Sequence, residues 1–198
     1  MQTGIIHTVA IRLTKILLYL RYTTFIALLI PSLLYSQVAG EEITLSVNDY
    51  SLIETNYAPV SLNFATPAPG AAIETTSNSD LFVHMSSVVP GGTHRKMSVQ
   101  ITSGSVPTGT TLKCISAECT TANSGGELGI PITPAITLST VDQDLVSAIG
   151  SGYTGTGYND GYQITFTWIP DGVSYHQLTS ASTQITVVFT ISAHDGNN

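Results

Sequence analysis

A chain of 198 residues with only 10% charged side chains, rich in Thr, Ser, Gly and β-branched residues, suits short strands and tight turns better than helices. Three of its six basic residues fall before residue 22 and all thirteen acidic ones after residue 40, so the chain beyond Ser36 carries about −10. A surface of that sign repels phosphate backbones, which weighs against nucleic acid as a partner, and there is no basic stripe for anionic lipid.

The chain opens with a long basic n-region, Met1 to Arg21, containing Arg12, Lys15 and Arg21, followed by a largely apolar run from Tyr22 to Ser36 interrupted by Pro31. Some 15 residues are too few to span a bilayer, which takes about 20, but they suit the core of a signal peptide. The expectation is a signal peptide over residues 1–36, cleaved after Ser36 or Ala39, so that the membrane is met only during export. About 160 residues remain, enough for one domain with its own core. We read 37–58 as an N-terminal extension or first strand, 59–194 as the folded domain and 195–198 as a polar tail.

Beyond the leader, apolar residues alternate with polar ones in segment after segment. Ile43, Leu45 and Val47 share one face of a predicted strand, and 48–51 reads as a turn. Val60, Leu62 and Phe64 alternate in turn, as do Leu81, Val83 and Met85 after a Pro/Gly loop at 66–72. Met97, Val99 and Ile101 mark a further strand after the Pro90-Gly-Gly turn. Strands follow at 111–115 and, in a Pro-bearing edge or bulged form, at 130–139, with 141–149 the only place for a helical turn. Gly150 to Gly161 is a glycine-rich loop. Tyr162, Ile164, Phe166 and Trp168 alternate next, and 183–193 forms the closing strand. Eight to ten strands at intervals of about a dozen residues predict an all-β, antiparallel, immunoglobulin-like β-sandwich. Their length, mostly five to seven residues, falls short of the 9–11 typical of a membrane barrel.

Chemistry-bearing residues are sparse. Cys114 and Cys119 are the two cysteines, and in an exported chain such a close pair predicts a disulfide pinning a hairpin or loop. His84, His94, His176 and His194 form no metal-ligand spacing, and no Gly-x-Ser-x-Gly nucleophile motif occurs. Asp142 and Asp144, two residues apart, are the one candidate calcium pair. Tyr153, Tyr158, Asp160 and Tyr162 surround the glycine-rich loop and compose a candidate ligand patch, with rings to stack on a sugar and a carboxylate to accept from its hydroxyls. No cofactor and no catalytic residue are expected.

The leader, the Thr/Gly-rich alternating strands and the closing 185–191 segment together resemble the immunoglobulin-like subunits of Gram-negative surface fibres, the pilin and coat-protein class. In that class an alternating N-terminal segment can complete a neighbour's sheet by β-strand addition. The resemblance therefore implies Ile43, Leu45 and Val47 as strand-donor positions. It further implies an exported, non-enzymatic, structural or adhesive protein of the periplasm, cell surface or extracellular space. Its partners would be further copies of itself or other envelope proteins. Members usually join distant early strands by their disulfide, whereas Cys114 and Cys119 are close neighbours. The alternative reading is a monomeric secreted ligand- or carbohydrate-binding module.

Overall fold

A computed structural model describes residues 43–194. The chain divides into two compact units, Met1–Ser46 and Val47–Asn198. Of the first, the described residues 43–46 are exposed and form no strand. The second is the sandwich. Its strands are β1 (Tyr50–Thr55), β2 (Thr76–Val88), β3 (Arg95–Ser103), β4 (Thr110–Ser116), β5 (Gly125–Gly126) and β6 (Ile130–Pro131). They continue with β7 (Ile136–Thr137), β8 (Gln143–Ile149), β9 (Gly152–Tyr153), β10 (Tyr162–Pro170) and β11 (Thr186–Ala193). The signal-peptide region with both cleavage positions, and the tail from residue 195, lie outside the described residues.

Two antiparallel sheets pack face to face. One runs β5-β9-β2-β10-β4-β7, and the other runs β11-β3-β8-β6. Val83 of β2 is registered with Thr55 on one side and Tyr162 on the other, so β1 and β10 flank β2. Alternation explains the core: Leu81, Val83 and Met85 of β2, Met97, Val99 and Ile101 of β3, and Tyr162, Ile164 and Phe166 of β10 are all buried. Leu112, Cys114, Leu145, Val146 and Ile149 fill the space between the sheets.

On the seven-strand immunoglobulin plan, β1-β2-β10-β4 occupy the order A-B-E-D, and β11 beside β3 occupies F beside C. β8 and β6 extend the sheet on the far side of β3. Among the described residues, no strand lies beyond β11, where the seventh strand of that plan would pair.

Three sequence expectations are corrected. The segment 43–49 is not a strand; the first strand starts at Tyr50, where a turn was predicted, because Tyr50 to Thr55 finds β2 as a ladder partner. Residues 59–64 form no ladder either, although their alternation is used: Leu62 packs on the core and Phe64 stacks on Trp168 at 3.9 Å between ring centroids. The stretch read as a helical turn is β8, which pairs with β3 and buries Leu145, Val146 and Ile149 in the core.

Candidate functional site

The sheet edges differ sharply. β5, β6 and β7 are two residues long, and β6 contains Pro131, so these edges offer little to an incoming strand. β1 carries Glu54 and follows Asp49, which pairs with Arg95 at the start of β3. β11 is eight residues of Thr-Val-Val-Phe-Thr-Ile-Ser-Ala, with neither charge nor proline. At about 3.4 Å per residue it presents some 27 Å of backbone. It pairs with β3 alone among the described residues, and its single register shift lies at its beginning, between Thr186 and Val187.

Burial across that pair shows an incomplete seal. Val187, Phe189 and Ile191 of β11 face Ile101, Val99 and Met97 of β3. The β3 residues are buried, whereas their β11 partners, with Ile185, pack on the core only half-buried. Ile53, the inward residue of β1, is likewise only partly covered, and β1 approaches β11 across the gap between the sheets. The open flank of the core thus coincides with the long unprotected edge.

Ile43, Leu45 and Val47 are 76%, 89% and 82% exposed. Three large apolar side chains in alternation, all in water, are what a segment without a ladder partner looks like. The strand predicted for them is not formed.

The predicted ligand patch is not assembled as one surface. Tyr162 is fully buried, its hydroxyl donates to the Leu128 carbonyl, and burial beside Cys119 pushes its ionisation well above the ordinary range. Asp160 is buried and accepts from the Gly157 N–H at 2.7 Å and from Asn123 Nδ2 at 3.1 Å, so its carboxylate holds the loop together. Tyr153 and Tyr158 are exposed. Tyr153 lies on β9 against Gly125, and Tyr158 instead lines a groove with Asp80 and Phe82 of β2. No sequence signal ties residue 158 to residue 80; the link runs through Asn56, whose Nδ2 donates to both backbone carbonyls.

Cys114 and Cys119 are free, buried thiols, which overturns the predicted disulfide. Cys114 points into the core from the middle of β4, and the strand runs on to Ser116. That carries the chain about 7 Å away, the outer limit of Cα separation for a bridge, and leaves three residues in which to return. Burial pushes the Cys114 thiol up from 9.0 to about 12. The calcium pair is not assembled: Asp144 lies 2.9 Å from Lys96 Nζ, Asp142 is exposed, and no group of three His, Cys, Asp or Glu among the described residues could hold a metal ion. Of the histidines, His94 lies 3.8 Å from Glu127, and His84 Nε2 is buried without a hydrogen-bond partner.

No protein-family model matches the chain, and no curated protein or solved structure matches it either. The fold and the site define an antiparallel β-sandwich of immunoglobulin-like strand order whose longest edge strand, β11, has a single ladder partner among the described residues.

Proposed function

We propose that this is an exported, non-enzymatic structural subunit of the cell envelope or surface that joins copies of itself by β-strand addition. Residues around Ile43, Leu45 and Val47 of one copy pair with β11 of the next. The reading is supported chiefly by the one eight-residue edge that carries no charge and no proline and whose inward side chains are half-covered. Natural edges of that length are usually blunted, because an open ladder templates further pairing.

An alternating apolar segment laid along β11 would satisfy the free ladder and put its side chains over Val187, Phe189 and Ile191. Full burial of an Ile, Leu or Val is worth about 1.5–3 kcal/mol, so three together contribute roughly 4–9 kcal/mol. Ordering the donor backbone costs about 1–2 kcal/mol per residue, which the new ladder bonds and the added core contacts must offset. The likeness to pilin-class subunits supports the same reading.

Size-exclusion chromatography with light scattering tests it on the full chain beside Ile43→Ser/Leu45→Ser/Val47→Ser. The native chain is expected to assemble and the triple variant to remain monomeric. Equal behaviour of the two, in either state, would sink the proposal.

A further inference from the structure

We infer that the groove between Pro59, Phe82 and Tyr158, on the outer face of the seven-stranded sheet, is a binding site for a neutral carbohydrate. Phe82 of β2 is registered with Gln163 of β10, and each alternates with buried neighbours, so both side chains point away from the core. Between the pairs Ile164–Leu81 and Phe166–Asn78, β2 spends three residues where β10 spends two. This bulge sits at Ser79 and Asp80. A bulge re-aims side chains, and here Asp80 enters the groove.

The walls are fixed before any ligand arrives. Asn56 Nδ2 donates to the Asp80 carbonyl at 2.9 Å and to the Tyr158 carbonyl at 3.2 Å. Its Oδ1 accepts from the Phe82 N–H at 3.1 Å and the Ala58 N–H at 3.2 Å. One side chain thereby ties together the β2 edge, the 57–59 segment and the loop bearing Tyr158. Tyr57, next in the chain, is held at a φ of 54°, a left-handed conformation that costs a non-glycine residue energy and clusters at ligand clamps. The far loop is braced by the buried Asp160 carboxylate, and Gly155 at a φ of +89° leaves no room for a Cβ, which would fall 2.5 Å from Asp160 Oδ2.

The lining specifies the ligand chemistry. Phe82, Pro59 and the 62%-exposed ring of Tyr158 offer flat apolar faces for the C–H face of a sugar. Around them, Asp80 keeps one carboxylate oxygen beyond its bond from Asn78, and Gln163 keeps its amide oxygen beyond its bond to Ser79. The Asn159 amide has no hydrogen-bond partner among the described residues. These groups supply acceptors and donors for hydroxyls. Among the described residues no cation lines the groove, so a sulfated, phosphorylated or sialylated ligand would meet Asp80 without a basic side chain from them to balance its charge. A wholly apolar ligand would strip water from the carboxylate and amides without replacing its hydrogen bonds. The groove is shallow and open to solvent, with a volume of about 400 Å³.

The test is saturation-transfer NMR on the full chain with lactose, cellobiose, maltose and methyl mannoside, and with sialyllactose as the charged counterpart of lactose. At least one neutral sugar is expected to receive magnetisation, with Tyr158→Ala and Asn159→Ala each weakening its binding about tenfold or more. Tyr153→Ala, on a different strand, is expected to leave binding unchanged. Thermal melts verify folding; both groove variants keep the backbone carbonyl that Asn56 grips. Transfer to none of the neutral sugars, binding unaltered in both groove variants, or sialyllactose binding as well as lactose would each overturn the assignment.

Discussion

Replacing Leu45 by Ala should weaken assembly while leaving the isolated subunit untouched. Leu45 is 89% exposed, so truncating it removes no core contact, and the monomer's stability should change by less than about 0.5 kcal/mol. In a strand-added pair, Leu45 occupies the central apolar position of the donor, over the half-buried β11 side chains. Losing its burial there costs about 2 kcal/mol. At 1.4 kcal/mol per factor of ten, that is roughly a 30-fold weaker association. Thr44→Ala, one residue away on the opposite face, should change association little. Sedimentation velocity across a concentration series reads the constant, and a thermal melt reads the subunit. An unchanged association constant for Leu45→Ala would refute the donor assignment. A lowered melting temperature would show instead that Leu45 belongs to the subunit's own core.

Val188→Lys, on the outer face of β11, places a charge on the edge and should abolish assembly without unfolding the subunit, as read by light scattering and circular dichroism. Both cysteines should resist iodoacetamide in the native protein and take two labels in urea, by intact mass; a mass two daltons light and unlabelled would indicate a disulfide. Because burial raises the Cys114 thiol from 9.0 to about 12, the native state holds its proton after the unfolded chain has released it. Stability is therefore fully present below pH 9 and falls as pH rises toward 12, by up to about 1.4 kcal/mol per pH unit; urea midpoints at pH 8, 9.5 and 10.5 measure the slope. Asn56→Ala, which strips four hydrogen bonds from the β2 edge and two loops, should cost about 1–3 kcal/mol in urea unfolding.

The sandwich was legible because period-2 alternation is a strong signal wherever one face is buried. Met97, Val99 and Ile101, or Tyr162, Ile164 and Phe166, declare their inward faces residue by residue. The same signal misled where alternation is satisfied without a ladder. Phe64 stacks on Trp168 from an irregular segment, and Ile43, Leu45 and Val47 alternate with nothing in the described chain to pair with. β8 hides from the alternation signal because its ladder with β3 is interrupted twice by register shifts, which bury the adjacent pair Leu145-Val146. Spacing and compartment predict a disulfide between the cysteines, yet both thiols are free, with Cys114 held inside β4 and Cys119 beyond its end. Of the groove only Tyr158 was legible: the rest depends on a bulge at Ser79–Asp80 and on contacts made by Asn56 across 24 and 102 residues of sequence.

The central claim is that one copy's N-terminal segment fills another copy's open edge, and mixing two defective variants tests it most directly. Ile43→Ser/Leu45→Ser/Val47→Ser lacks a donor but keeps β11, whereas Val188→Lys keeps the donor and lacks the acceptor. Each alone should run as a monomer in light scattering, and an equimolar mixture should form a dimer of one copy of each and grow no further. A mixture that stays monomeric, or a single variant that assembles alone, would contradict the account.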